Sequence, residues 1–147
     1  MVVQDVIEAQ ELATLLPHSG AMCLLDSVRS WDERTISCRA VSHQDPNNPL
    51  RDRGILPAHA GIEYAGQAMA VHGGLCERRD TKPKLGYLAV LTNVDWYCSR
   101  LDDLPEALTV MAERLVAAGN GYSYHFGLYH LDTLLLEGQA VVALQDA

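Results

Sequence analysis

The sequence predicts an α+β fold, rich in strands and built about one apolar helix, and three observations carry that prediction. Hydrophobic residues make up 48% of the 147 positions and charged residues 20%, a globular balance. Residues 55–75, "ILPAHAGIEYAGQAMAVHGGL", form an apolar, small-residue run of helical length. From residue 86 onward, four strand-like runs follow one another. A chain of this length is expected to be a single domain, 1–147, able to bury a real core.

Taken in order, residues 5–16, "DVIEAQELATLL", carry Val6, Ile7, Leu12, Leu15 and Leu16 in a helical pattern that Pro17 stops. After the "PHSGAM" turn, "CLLDSVRSW" and "TISCRAVS" read as a hairpin joined at "DER"; Ile36, Cys38 and Ala40 alternate with Thr35, Ser37 and Arg39, so one side faces a core. Residues 43–54, "HQDPNNPLRDRG", concentrate Pro, Asn, Asp and Gly in a loop whose length is usually kept for function. Pro57 suits the first turn of a helix over 58–76, and nothing breaks its pattern before Gly73-Gly74. The strands are then "GYLAVLTNVDWYC", "ALTVMAERLVA", "GYSYHFGLYHL" and "TLLLEGQAVVAL". Asn120-Gly121 supplies the hairpin turn between the second and third, and Asp132-Thr133 the turn before the fourth.

Composition removes several function classes. The net charge, 11 − 19 = −8, argues against nucleic acid or an anionic membrane as partner. No stretch reads as a membrane span or signal peptide, so a cytoplasmic location is expected. Cys23, Cys38, Cys76 and Cys98 lack any C-x-x-C spacing, and no pair among the six histidines has metal spacing; neither a metal nor a cofactor is expected. A nucleophile elbow and the phosphate-cradle motifs are missing too. Two basic clusters, Arg51 with Arg53 and the run Arg78, Arg79, Lys82, Lys84, read either as solvated surface or as the local field that an acidic partner would need.

One carboxylate, Glu63, interrupts the apolar helix. At about 100° per residue it shares a face with His59, Ala60, Gly66, Gln67, Ala70 and Gly74, while Tyr64, Val71 and Leu75 line one flank. A helix apolar nearly all round is expected to be enclosed. Small neighbours admit another backbone or a narrow linear ligand to the carboxylate. Lost hydration there favours the neutral acid, the form that protonates a leaving hydroxyl. A structural carboxylate bonded to Gln67 or to a facing backbone fits the same pattern, and periodicity does not choose between the two. His59, four residues earlier, is placed to pair with Glu63 or to cap the helix start. His43, in the long loop, is placed to fold over that terminus. His18 reads as a turn hydrogen-bonder, and His72, His125 and His130 as ordinary half-buried positions.

The order of helix, "LLPHSGAMCLLDSV", hairpin, long loop, apolar helix and strands resembles, over nearly the whole chain, the β-hydroxyacyl-acyl-carrier-protein dehydratases of the hot-dog fold, an antiparallel sheet wrapped around one long central helix. Leu15-Leu16-Pro17-His18 and Leu24-Leu25-Asp26 match that family's early "LLPHRYPFLLVD"-like segment. The stretch "LPAHAGIEYAGQ" aligns without a gap on its helix motif "FPGVLILEAMAQ", setting Pro57 on the family's Pro, Glu63 on its catalytic Glu and Gln67 on its Gln. The combination of "NPLR" and "GIEYAGQAMAVHG" is similar to a divergent branch, the dehydratase-like proteins encoded with aryl-polyene and related polyketide or fatty-acid clusters.

The resemblance implies elimination of water from a 3-hydroxyacyl thioester on an acyl carrier protein, in fatty-acid or polyene biosynthesis. In the family a His removes a Cα proton, a carboxyl group protonates the departing hydroxide, and amides at the helix start polarise the thioester carbonyl. The His and the acid come from different subunits of a dimer. Carried to this chain, Glu63 is the acid; Gln67, Ala60, Gly61, Gly66 and Ala70 line the acyl site; and Arg51 with Arg53 dock the carrier. The base is where the chain departs. The family's His, in an "HFPGHP" segment, falls on Pro49, and a shifted alignment offers Asn48 or Arg51. His59 is then the expected substitute. A homodimer or higher oligomer is implied; the alternative is a hetero-oligomer in which this chain is a non-catalytic hot-dog subunit that keeps the acyl tunnel and an active partner supplies the His. A thioesterase that uses the helix carboxylate to activate water is the further alternative on this fold.

Overall fold

The computed structural model describes residues 6–16, 20–76, 84–118 and 121–146. Pro17, His18, Asn120 and the basic residues Arg78, Arg79 and Lys82 lie outside these, and so does the side chain of Lys84. Six strands form one antiparallel sheet: β1 (Ser27–Trp31), β2 (Thr35–Ala40), β3 (Lys84–Trp96), β4 (Leu108–Ala118), β5 (Gly121–His130) and β6 (Thr133–Asp146), in the spatial order β1-β2-β4-β5-β6-β3. Among the described residues two α-helices accompany it, α1 (Ala9–Leu15) and the long α2 (Gly61–Cys76), around which the sheet wraps.

Alternation decides which side of the sheet meets α2. Cys38, Val110, Leu128 and Leu136 are mutual register partners across four strands, and all four are buried. The first residue of α2 sits on that row: a side chain at Gly61 would run into Leu136 and Leu128. The turn between β1 and β2 is closed by Asp32, whose Oδ1 accepts the amides of Arg34 at 2.8 Å and Thr35 at 2.9 Å. These bonds outweigh the effect of its burial and hold the Asp32 carboxyl below its ordinary range.

Three boundaries differ from the sequence expectation. The first helix is confined to Ala9–Leu15, because Ile7 exchanges both backbone hydrogen bonds with Val28, at 3.0 and 2.8 Å, and so joins β1 instead. Tertiary pairing overrides the local pattern there. α2 begins at Gly61 rather than at 58, because residues 58–60 form a 3-10 turn, and it runs through Gly73 and Gly74 to Cys76 as expected, with Gly73 buried against the core. The last hairpin pairs His130 with Thr133, so its two turn residues are Leu131 and Asp132, one position earlier than expected, and Leu131 has φ 53°.

Candidate active site

The start of α2 is stitched to the segment that follows β3. Pro57 leads into a 3-10 turn, Ala58–Ala60, in which the Ala58 amide donates to Ser99 O at 3.1 Å and the Ala60 amide to Pro57 O at 3.0 Å. The Gly61 amide turns back to the Ala58 and His59 carbonyls. Beside them, the Leu56 amide donates to Asp102 Oδ1 at 2.8 Å. The Arg100 guanidinium, bonded to Asp102, and this Leu56 amide together hold the Asp102 carboxyl down to about 2.

Around α2 most positions are buried, and one stripe is not. His59 is exposed; Ile62, Glu63, Gly66, Ala70 and Gly74 are half-buried. The sheet therefore leaves one side of the helix partly open, where full enclosure was expected, and Glu63 lies on that side with Gly66 and Ala70 at helical spacing. Ala60 and Gly61 do not join them. Both are buried: Gly61, two α-helical residues before Glu63 and so on the opposite side of the helix, faces Leu128 and Leu136, and Ala60 lies in the 3-10 turn at 58–60, which rotates residues by more than the α-helical angle assumed from the sequence.

Gln67 is engaged at both ends of its amide. Its Oε1 accepts the Leu24 amide at 2.9 Å and its Nε2 donates to Met22 O at 2.7 Å, with the side chain fully buried. It anchors the segment before β1. The long loop is likewise locked from within. Asn48 is buried, with Nδ2 donating to Ser42 O at 2.9 Å and to the Tyr64 hydroxyl at 3.0 Å, and Oδ1 accepting the Leu50 amide at 2.9 Å.

Arg51 is turned inward rather than offered to solvent, its side chain only 15% exposed. Its guanidinium donates to the carbonyls of Asp45, Gly54 and His43 at 2.9, 2.8 and 3.1 Å. Both residues that a shifted alignment sets in place of the family His are thus staples of the loop. Arg53 is exposed, at φ 54° next to Gly54 at φ 81°, in a turn closed by paired Asp52 and Ile55 amides. His43 is fully buried with Nε2 3.1 Å from Leu104 O, and burial lowers its pKa.

At the far end of α2, His72 is fully buried, not half-buried. Its Nδ1 is 2.7 Å from the Tyr124 hydroxyl and its Nε2 2.7 Å from Asp32 O. Only Nε2 can donate to that carbonyl, so the ring is the Nε2–H tautomer and Tyr124 donates to Nδ1. Arg114 completes the chain by donating to the Tyr124 oxygen at 3.0 and 3.2 Å. Burial lowers the pKa of His72 to about 4 and raises that of Tyr124 to about 12. A hydrogen-bonding hub of this kind was not legible in the sequence, since its members lie 40 and 52 residues from His72.

Among the described residues no three His, Cys, Asp or Glu side chains come together as a metal-binding group, and no helix is long and apolar enough to cross a membrane. The four cysteines are free thiols, and burial raises the pKa of Cys38 to about 12.

The profile of the family described as "ApeP-like: ApeP dehydratase" matches residues 10–146. No significant match occurs among curated protein sequences. Among solved structures, the dehydratase heterocomplex ApeI:P from Xenorhabdus doucetiae is similar with a TM-score of 0.80 at 22% identity, over 90% of this chain and 89% of that one. A thioesterase from Haemophilus influenzae follows with a TM-score of 0.69 at 14% identity, over 99% and 96%. AziG from S. sahachiroi is similar with a TM-score of 0.64 at 12% identity, over 90% and 99%. Identities this low speak to the fold, which is the hot-dog arrangement.

Proposed function

The chain belongs to the ApeP-like dehydratase family, and on that premise we propose that it is the acid-bearing subunit of a 3-hydroxyacyl-thioester dehydratase whose site is completed by a partner. The observation that carries this reading is the position of Glu63: the one carboxylate of α2, on the one stripe of that helix its own sheet does not cover. In the proposed reaction a base takes the Cα proton and its electron pair forms the Cα–Cβ double bond. The Cβ–O bond breaks, and the departing hydroxide leaves as water with the proton of Glu63. The positive end of α2 favours the negative charge that develops on the thioester oxygen.

The base is proposed to come from a second hot-dog protein. Two observations support this. The loop residues that stand in for the family His are committed to loop structure, and His43 is committed to Leu104. The β3 strand, in addition, runs along an edge of the sheet with Val90, Leu91, Trp96 and, just beyond it, Tyr97 exposed. A long edge carrying exposed apolar side chains is suited to pairing with another strand. His59 is the group of this chain best placed to act as base in its own right, and the substrate is proposed to be carried by an acyl carrier protein.

The test is incubation of a synthetic 3-hydroxyacyl carrier thioester with the chain alone, and with a second hot-dog dehydratase, followed by mass spectrometry. Loss of water in the mixture, abolished by Glu63→Gln, is the expected result. Release of free carrier thiol would make the protein a thioesterase. An intact substrate under both conditions would overturn the proposal.

A further inference from the structure

A buried helix must be fixed in rotation about its axis as well as in place, because turning it redirects every side chain it carries. Apolar burial does this poorly for α2. Its buried side includes Ala65, Ala68 and Gly73, its open side Gly66, Ala70 and Gly74, and apolar contact is non-directional. Three buried polar side chains, Tyr64, Gln67 and His72, supply direction instead. At about 100° per residue they fall within an arc of about 140°, centred opposite Gly66 and so away from the open stripe.

The two anchors nearest Glu63 converge on one residue of the segment before β1. The Ser42 hydroxyl donates to Leu24 O at 2.7 Å; the Tyr64 hydroxyl, 2.7 Å from Ser42 Oγ, donates to it; and Asn48 Nδ2 donates to Tyr64 at 3.0 Å. Gln67 Oε1 accepts the amide of the same Leu24. One turn of α2 is thereby bonded, directly or through Ser42, to both backbone polar groups of Leu24 and to the locked loop.

We propose that Tyr64 is a positioning residue for Glu63: its buried hydroxyl, with Gln67 one turn on, sets the rotation of α2 that aims the Glu63 carboxyl along the open stripe. The inference rests on the reading of Glu63 as the acid. Tyr64→Phe keeps the ring packing and deletes only the hydroxyl. In the active assembly, well below its melting temperature, it should lower kcat on the order of ten- to a hundredfold with KM little changed. A double-mutant cycle separates positioning from mere stability. If Tyr64 acts through Glu63, Tyr64→Phe has no further effect on the residual rate of Glu63→Gln.

Gln67→Leu is the second probe, expected to behave in the same way, and circular dichroism confirms that each variant is folded. A Tyr64→Phe rate within twofold of wild type, or an equal loss in the Glu63→Gln background, would overturn the positioning role alone. Full activity of Glu63→Gln would overturn the reading of Glu63 itself, a distinct result.

Discussion

At the start of α2, His59 is exposed and Glu63 half-buried beside glycine and alanine; toward its far end, His72 is fully enclosed with both ring nitrogens 2.7 Å from a partner. A histidine stands at each end, His59 in the 3-10 turn that leads into α2 and His72 within it, and burial divides their roles. A group that must exchange protons with a substrate has to keep a reachable side. A group that holds strands and helix together has to be saturated and kept in one protonation state. The far end meets the second set of conditions, and the near end retains the first.

The largest expected effect is at the near end. Glu63→Gln is nearly isosteric and should leave the urea unfolding midpoint close to wild type while lowering turnover of the assembled enzyme by about 10²- to 10⁴-fold. A variant that turns over normally would remove the proton donor from this side of the helix.

His72→Ala should do the reverse. It leaves Tyr124 and the Asp32 carbonyl without their buried partner and opens a cavity, a loss of about 3–5 kcal/mol of stability. Denaturant titration measures it; a loss below about 1 kcal/mol would show that the hub relaxes or admits water.

The same contrast sets a pH dependence. The folded-state pKa of His72 is lowered to about 4 from its ordinary 6.5, so between those values the unfolded chain binds a proton that the fold refuses. Above about pH 6.5 neither state binds it. Stability should therefore fall as pH drops from about 6.5 toward 4, by on the order of 3 kcal/mol from this group, and then level off. His43, its pKa also lowered by burial, adds in the same direction. Asp102, held to about 2, loses its contribution only at lower pH, below its ordinary 3.8. Urea midpoints across this range should show a shallower slope in His72→Gln; an unchanged slope would place the effect elsewhere.

The smallest effects separate the two loop arginines. Arg51→Ala should lower stability by about 1–2 kcal/mol by freeing three carbonyls, and should affect carrier-bound and pantetheine-bound substrates alike. Arg53→Glu should leave stability within about 0.5 kcal/mol and weaken only the carrier-bound substrate. Equal losses on both substrates for Arg53→Glu would remove it from carrier docking.

Much of the fold was legible in local pattern. The strand alternation, the Pro57 start and the small-residue run over 58–76 each express backbone preferences and burial that act over a few residues, and β2 through β6 and α2 appear where those preferences put them. Glu63 also stood out by itself, as a lone carboxylate in an apolar run. What only the tertiary structure decided is how each side chain is used. The bridge from Ile7 to Val28, the inward turn of Arg51, the closure of the loop by Asn48 and Tyr64, and the enclosure of His72 all depend on partners many residues away. A hydrogen bond is directional and is satisfied by whatever group the fold brings within about 3 Å, so residue type and spacing along the chain define what a side chain can do, while the packed structure selects which of those possibilities is used.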